Sequence, residues 1–278
     1  VYRSREPVGL GEHRMMFRPR ESHDLQLTRS SLVITPQPSD LRWLHDPFDN
    51  SVAVANFEGT ASELRFESQV TLRHYETSTP DYPLEESART YPYRYADEDY
   101  PNLQRALSRR YQGDGVANWA LQFLDTSEST GTMKLLRSMT NAIREQFQYT
   151  RRIEKGVQSP EETLRNGSGS CRDFAVLMME ACRSLGIAAR FVSGYIFVAK
   201  GSSEAGGGAT HAWMQVYLPG AGWIDFDPTN SIIGNRNLIR VAVAWDPYHV
   251  LPLWGTYQGS PSDFLGMDVT VTVTEEAD

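Results

Sequence analysis

Cysteine is nearly absent from this sequence, and its scarcity excludes a disulfide-stabilised fold. The 278 residues contain only Cys171 and Cys182, whereas disulfide frameworks are built from several pairs. On a shared helix, their separation of 11 residues would put the two Cα atoms about 16 Å apart, beyond the reach of a disulfide bond. Two free thiols are typical of a reducing compartment, so we expect a cytoplasmic protein.

Long apolar runs and clusters of positive charge are missing as well. No stretch approaches the roughly 20 consecutive apolar residues that cross a bilayer, and we expect no membrane partner. The formal net charge is -8, and Lys and Arg are scattered along the chain, which argues against a nucleic-acid partner. The positive charges after Val1 have no apolar segment behind them and predict no secretory signal, although a chain without an initiating Met leaves a removed signal open.

The composition is that of a globular protein, and the sequence divides into two parts with different patterns. Hydrophobic residues make up 40% and charged residues 22%, and the length suits two domains. Up to about residue 75, short segments alternate apolar with polar residues between Pro and Gly, which predicts a small β-sandwich. A connector rich in Pro and Tyr follows at about 79–101, and we expect its tyrosines to pack against the neighbouring domain. We place the sandwich and connector at 1–112 and a second domain at 113–278.

The second part mixes helices with strands. Apolar residues recur every three or four positions between residues 132 and 149, as in an amphipathic helix: Met133, Leu136, Met139, Ile143 and Phe147. Another helix is predicted to begin after Ser170, which can cap it together with Asp173, and to end at Gly186. Strands are predicted beyond it at 189–198, 211–218, 223–227, 238–245 and 268–274. Helices followed by sequential strands indicate an α+β fold with an antiparallel sheet.

Cys171 is a candidate nucleophile because it would be the first residue of that second helix. The free N–H groups and the positive dipole end of a helix N-terminus favour a thiolate, and they can receive the negative charge that develops on a carbonyl oxygen. Free cysteine is often only a small buried hydrophobe, and this interpretation suits Cys182 in the helix interior. Glycines before Cys171 and polar residues after it favour a functional role there.

A cysteine nucleophile needs a base, and His211 is the best placed of the six histidines. It begins a predicted strand directly after the glycines at 206–208, a suitable position at the edge of a cleft. Four other histidines, His13, His23, His45 and His74, have polar neighbours in the N-terminal part, and we expect them to be exposed. His249 falls in a late loop and is a weaker candidate.

The base needs an orienting carboxylate, and Asp225 and Asp227 are both available. Period-two alternation puts both on one face of the strand that follows the His211 strand. A hairpin loop centred on Gly220 pairs residue 213 with Asp227, so that Asp227 becomes the diagonal neighbour of His211. Asp225 lies two residues further away, and the register therefore favours Asp227.

These residues stand in segments that resemble the transglutaminase-like superfamily of cysteine enzymes. The resemblance covers roughly residues 130 to 230 and rests on the order and spacing of 169–175, 183–190, 194–195, 211–213 and 227–229. It implies a papain-like core in which Cys171, His211 and Asp227 are nucleophile, base and orienting carboxylate. The implied fold class is α+β, with a papain-like transglutaminase core of helices and antiparallel sheet preceded by a small β-sandwich domain.

The resemblance extends to the N-terminal part and has one clear departure. Residues 46–52 resemble the N-terminal β domain of bacterial members, where Gly more often stands at the Asp49 position. Near the C-terminus the family pattern is a Gly-Arg-Asp-Tyr-like run, whereas this chain has Ala-Trp-Asp-Pro-Tyr at 244–248. The family's substrate specificity is therefore not carried over.

The chemistry implied is acyl transfer at an amide bond. Cys171 attacks the carbonyl carbon, His211 protonates the leaving amine, and a thioester results. We expect hydrolysis, because excluding water requires a dedicated hydrophobic tunnel, and hence a cysteine peptidase or amidase with a peptide or protein substrate. A transglutaminase that cross-links glutamine to amines and a catalytically silent binding module are the alternatives.

No cofactor is expected, and a metal site is weakly indicated at most. The two cysteines are 11 residues apart and no histidines pair at ligand spacing. A second oxyanion donor besides the helix N-terminus is left open between Gln148 and Tyr149. Nothing in the sequence indicates the oligomeric state.

Overall fold

The computed structural model describes residues 1–76, 82–125, 128–152, 154–199, 201–202 and 204–276. Within them the helices are α1 Tyr100–Leu107, α2 Gly115–Leu121, α3 Thr132–Gln146, α4 Pro160–Asn166 and α5 Cys171–Ser184. The strands are β1 Tyr2–Met15, β2 Leu25–Thr35, β3 Asp40–His45, β4 Ser51–Asn56, β5 Thr60–His74, β6 Thr90–Tyr91, β7 Thr130–Gly131, β8 Gln148–Tyr149, β9 Ser168–Gly169, β10 Ala189–Ile196, β11 His211–Leu218, β12 Gly222–Asp227, β13 Ile232–Ile233, β14 Leu238–Ala244, β15 Leu253–Gln258 and β16 Phe264–Met267. Short 3₁₀ turns lie at Glu86–Ala88, Pro247–Val250 and Pro261–Asp263. The molecule is α+β with antiparallel sheets.

The N-terminal part is a sheet domain with its own small core. Its strand order is β2-β5-β1-β4-β3, and β1 continues from pairing with β5 at Tyr2 to pairing with β4 at Met15. Met15 and Ile34, from β1 and β2, are buried in one apolar cluster with Ala53 of β4. The N-terminal part is therefore a β-sheet domain with its own apolar core, as the alternating pattern predicted.

The last strands of the chain belong to this N-terminal sheet. β15 and β16 both pair antiparallel with β1, with Tyr2 opposite Met267 and Met15 opposite Leu253. The strand predicted at 268–274 is wrong, since the described residues after Met267 form no ladder. The boundary predicted at residue 112 stays a prediction, but residues 253–267 contribute to the sheet that precedes it.

The second part is built on a five-stranded antiparallel sheet with the order β13-β12-β11-β10-β14. Helix α5 packs against β10 and β11, and its face with Phe174, Leu177 and Met178 is completely buried in the main apolar core. The capping and periodicity signals predicted the start and the buried face of α5 correctly. Helix α3 ends at Gln146, three residues before the end of the predicted span, because Gln148 and Tyr149 pair with β9 instead.

The β11–β12 hairpin has the predicted register. Gln215 pairs with Asp225 and Met214 with Phe226, which is the register of a loop centred on Gly220. Gly220 adopts a φ of 86°, a left-handed conformation that glycine tolerates without strain. The hairpin therefore places Asp227 diagonally across from His211.

Segment 46–50 docks the N-terminal sheet onto the core. Asn50 is completely buried, donates from Nδ2 to the Val243 carbonyl (2.8 Å) and accepts from the Val243 N–H (2.9 Å). Asp49 just before it has a φ of 61°, which explains why glycine suits this position. A second link is Arg240, whose guanidinium contacts Asp24 (2.5 Å) from the N-terminal part and Asp225 (3.0 Å) from β12.

Two further expectations concern individual side chains. Four tyrosines of the connector pack against core residues, as predicted: Tyr82, Tyr91, Tyr93 and Tyr95. The expectation is wrong for Tyr100, which is 54% exposed at the start of α1, and positions 79–81 lie outside the described residues. His13 was expected to be exposed but is buried beneath β15. Among the described helices none is both long and apolar enough to cross a membrane.

Candidate active site

Cys171 is fixed by the cap of α5. The Ser170 backbone N–H and hydroxyl both donate to Asp173 Oδ2 (2.8 Å each), which forms the predicted capping box. Asp173 is itself held from outside the helix, by Arg152 Nη1 (2.8 Å) and the Gln158 N–H (2.7 Å). The turn that presents the Cys171 thiol is therefore braced from two directions.

The two cysteines differ in their surroundings. Cys171 is 7% exposed at the start of α5, whereas Cys182 is completely buried. Burial raises the pKa of the Cys182 thiol to about 12, so Cys182 stays protonated and unreactive at neutral pH. This agrees with the interpretation of Cys182 as a packing residue.

His211 and Asp227 are in direct contact. His211 Nε2 donates to Asp227 Oδ2 at 2.8 Å, and both side chains are buried. Asp227 Oδ1 accepts from the Thr229 N–H (2.9 Å), and Oδ2 also accepts from Asn230 Nδ2 (2.8 Å). Three donors satisfy the carboxylate, as a buried charge requires, and they fix its orientation toward the imidazole.

The other imidazole nitrogen, Nδ1, is buried and unused by Asp227. Nδ1 of His211 has no hydrogen-bond partner among the described residues. Burial alone lowers the pKa of His211, but the charge and hydrogen bond of Asp227, reinforced by the adjacent Cys171, raise the pKa above its usual range. The imidazolium is therefore the favoured form at neutral pH, and its Nδ1–H is available for proton transfer.

Asp225 supports His211 indirectly, through Trp213. Trp213 stacks on the His211 ring, with centroids 5.8 Å apart, and its Nε1 donates to Asp225 Oδ1 at 2.7 Å. Asp225 also accepts from Gln215 Nε2 (2.9 Å) and from Arg240. Asp225 thus fixes the indole on which the imidazole rests, while Asp227 holds the imidazole itself.

Tyr149 is the better placed of the two candidate oxyanion donors. It pairs with Gly169 in the parallel β8–β9 contact, just before the Cys171 turn. Burial, together with the nearby charges of Cys171 and Asp227, raises the pKa of its hydroxyl to about 12. The hydroxyl therefore stays protonated and able to donate at neutral pH, whereas Gln148 is exposed.

Asn230 was missed by the sequence reasoning. Its Nδ2 donates to Asp227 and to the Ala205 carbonyl (3.0 Å), and its Oδ1 accepts from the Ala205 N–H (2.6 Å). Its position three residues after Asp227 was the one signal in the sequence, because nothing local indicates a partner on the loop before β11. Among the described residues, no group of three or more His, Cys, Asp or Glu side chains is placed to hold a metal ion.

Two family models match this chain. Residues 117–228 match the transglutaminase-like superfamily, and residues 1–73 match the bacterial transglutaminase-like N-terminal region. The chain therefore contains a transglutaminase-like core preceded by a bacterial transglutaminase-like N-terminal region. The matched core contains Cys171, His211 and Asp227, and the matched N-terminal region contains the segment that docks onto β14.

Similar proteins support the same assignment of fold. The uncharacterized Mycobacterium leprae protein ML0607 is 36% identical over 118 residues, which are 42% of this chain and 41% of that protein. The uncharacterized Mycobacterium tuberculosis protein Rv2569c is 32% identical over 154 residues, 51% of this chain and 48% of that protein. The matched part thus spans about half the length, or less, of these two relatives.

A solved structure gives the fold over almost the whole chain. It is named "Putative Cysteine Protease from Cytophaga hutchinsonii" and aligns with a TM-score of 0.66 at 19% identity, covering 99% of this chain and 91% of that one. At this identity the likeness concerns the fold. The transglutaminase-like core and the N-terminal sheet domain are therefore found together in another protein.

Proposed function

We propose that this transglutaminase-like chain is a cysteine hydrolase of amide bonds in peptides or proteins. Cys171 is the nucleophile, His211 the general acid and base, and Asp227 the orienting carboxylate. The proposal is carried by the 2.8 Å contact from His211 Nε2 to Asp227, which directs the unpartnered Nδ1 toward the cysteine side of the ring. That is the geometry of an imidazole positioned for proton transfer to and from a thiol.

The reaction starts from a thiolate beside an imidazolium. The Cys171 sulfur attacks the amide carbon, a C–S bond forms, and the carbonyl oxygen becomes an oxyanion. His211 Nδ1–H then gives its proton to the amide nitrogen, the C–N bond breaks, and the amine leaves. Water next attacks the thioester while Nδ1 accepts its proton, the C–S bond breaks, and a carboxylate is released.

The oxyanion has two sources of stabilisation in this proposal. One is the N-terminus of α5, where backbone N–H groups and the helix dipole face the reacting carbon. The other is the Tyr149 hydroxyl, which remains protonated and lies near the Cys171 charge. A hydrogen bond to the oxyanion strengthens as the negative charge develops. It therefore stabilises the transition state more than the bound substrate and lowers the activation barrier.

The acceptor of the acyl group is tested by product analysis. The protein is incubated in ¹⁸O-water with a library of Gln- and Asn-containing peptides, with and without an excess of a primary amine, and the products are identified by mass spectrometry. We expect ¹⁸O-labelled carboxylates that persist in the presence of the amine. Amine incorporation that exceeds ¹⁸O incorporation would instead make the protein a transglutaminase.

Matched cysteine variants provide the control. We expect Cys171→Ala to fold and to lose turnover by about 10⁴-fold or more, and Cys182→Ala to retain it, because only Cys171 lies beside His211. Equal loss of activity in two folded variants would reject the nucleophile. A wild-type protein without turnover, in which alkylation of Cys171 is indifferent to His211→Ala, would favour the silent binding module.

A further inference from the structure

The segment 204–208 precedes β11 and lies beside the His211 ring at Gly206. Cys171, His211 and Asp227 are only 7%, 1% and 0% exposed, so the three side chains lie beneath the surface of the protein. A substrate therefore needs some part of the surroundings to shift. Segment 204–208 lies directly against the imidazole.

Gly206 is the residue of this segment that touches the base. A Cβ atom built on Gly206 would lie 2.5 Å from His211 Nδ1 and 3.1 Å from Cε1, so only glycine fits at this distance. The contact is on Nδ1, the nitrogen that exchanges protons in the proposed reaction. Gly206 therefore covers the Nδ1 side of the imidazole ring, where the proposed proton transfer takes place.

Asn230 holds this cover at the residue next to Gly206. Its side-chain amide makes a two-point contact with the Ala205 backbone, accepting at 2.6 Å and donating at 3.0 Å. The same Nδ2 donates to Asp227 Oδ2 (2.8 Å), the oxygen that receives His211 Nε2. One side chain therefore connects the covering segment to the carboxylate that orients the base.

The ends of segment 204–208 are attached elsewhere. Asn237 Nδ2 donates to the Glu204 carboxylate (3.2 and 3.3 Å), and the Val271 N–H donates to the Gly208 carbonyl (3.2 Å). Removing the hydrogen bonds of Asn230 therefore frees Ala205 and Gly206 in the middle of the segment while both ends stay in place.

We propose that Asn230 is a positioning residue that latches Ala205–Gly206 as a cover over His211 Nδ1, and that substrate entry requires this latch to open. The inference rests on the proposed function, since it assigns the cover to the Cys171–His211 pair. Access to the site is then regulated by the two hydrogen bonds between Asn230 and the Ala205 backbone, which are replaced by hydrogen bonds to water when the segment moves away.

The test compares a small and a bulky thiol reagent in a Cys182→Ala background, where Cys171 is the only thiol. Iodoacetamide reports the reactivity of the sulfur, and fluorescein maleimide reports the space around it. We expect Asn230→Ala, which removes both hydrogen bonds to Ala205, to raise the maleimide rate relative to the iodoacetamide rate by about tenfold. The isosteric Asn230→Asp keeps an oxygen that accepts from the Ala205 N–H but loses the donor to the Ala205 carbonyl, and we expect a smaller rise. An unchanged ratio in folded variants overturns the latch.

Glycine variants test the cover independently of Asn230. Gly206→Ala places a methyl group against Nδ1, whereas Gly208→Ala has a similar positive φ (81° against 101°) and no atom within 4 Å of its new methyl group. We expect the ratio of the maleimide rate to the iodoacetamide rate to rise, and turnover to fall, in Gly206→Ala only. Equal behaviour of the two variants contradicts the cover.

The two proposals fail differently. If Cys171 reacts with iodoacetamide in a manner that depends on His211, but the reagent ratio ignores Asn230 and Gly206, only the latch is wrong. If the iodoacetamide reaction is slow and indifferent to His211, the proposed function is wrong, whatever the reagent ratio shows.

Discussion

Asp225 and Asp227 stand two residues apart on one face of β12 and share no hydrogen-bond partner among the described residues. Asp227 accepts from His211, Thr229 and Asn230, whereas Asp225 accepts from Trp213, Gln215 and Arg240. One carboxylate faces the base, and the other ties β11 and β12 to the N-terminal part. Equivalent substitutions at the two positions should therefore affect different properties.

Asp227→Asn is expected to reduce kcat by about 10³- to 10⁴-fold, because an amide no longer stabilises the imidazolium or fixes its tautomer, and also to remove the stability that the buried His211–Asp227 pair contributes. Asp225→Asn is expected to lower the free energy of unfolding by about 3 kcal/mol, because it leaves Arg240 paired with Asp24 alone. Kinetics and urea denaturation of both variants check this. A folded Asp225→Asn protein with the larger loss of kcat would reverse the two assignments.

The pH dependence of turnover follows from His211. Its pKa is raised, so the imidazolium and its proton persist above the ordinary histidine range, and the basic limb of the rate profile should lie above about pH 6.5. Asp227→Asn removes the main cause of the rise, and we expect the basic limb to move to lower pH. A profile of kcat/KM against pH for both proteins measures the shift, and a limb that stays in place would contradict the role of Asp227.

The same pair contributes to stability with a definite sign. A folded-state pKa above the unfolded value means that the contribution of the His211–Asp227 pair is complete below about pH 6.5 and is lost as the pH rises through the raised pKa. The difference in Tm between the wild type and His211→Ala should therefore shrink on the alkaline side. Thermal unfolding across a pH series is the measurement, and a difference that grows with pH would be inconsistent with it.

Tyr149→Phe removes one hydroxyl from the site without changing the ring that packs on Phe174. Because the hydroxyl is proposed to donate to the oxyanion, its loss should lower kcat by about 10²- to 10³-fold and change KM less. Tyr91→Phe is the control, because burial raises the pKa of that hydroxyl without any contribution from Cys171. Similar kinetics for the two variants would remove Tyr149 from the mechanism.

Asp49→Gly should stabilise the protein slightly. The φ of 61° at Asp49 is costly for a residue with a Cβ, and glycine should recover about 0.5–1 kcal/mol. The substitution also removes an ion pair with His45 whose side chains are 69% and 75% exposed, and such an exposed pair adds little to stability. Asp49→Ala is the control and should destabilise. Chemical denaturation distinguishes the two, and equal effects would mean that backbone strain is unimportant here.

The features that were predictable from sequence were those set by short stretches of chain. The register of β11 and β12 depends on a tight loop around Gly220, and the start of α5 depends on Ser170 and Asp173 within one turn. Both are local geometry, so spacing alone predicted the contact of His211 with Asp227. The roles of these residues in catalysis remain a proposal.

The features that were missed depend on distant segments. Alternating Val and Thr at 268–274 have strand propensity, yet a strand also needs a continuous partner. Among the described residues, the backbone of this segment bonds to Val1 at Asp268 and to Gly208 at Val271, two separate contacts that form no ladder. The contact of Asn230 with Ala205 likewise joins two segments whose meeting depends on the whole sheet. No periodicity in either segment carries that information.

The pairing of β1 with β15 and β16 has a consequence for how the protein is made. β1 leaves the ribosome well before β15 and β16, so two of its partners are completed only when residue 267 has been added. At ordinary rates of translation the delay is on the order of tens of seconds. Throughout that time one edge of β1 presents unpaired N–H and C=O groups, the feature that seeds aggregation. The nascent chain therefore depends on β1 remaining shielded, by a chaperone or by transient pairing, until its last strands arrive.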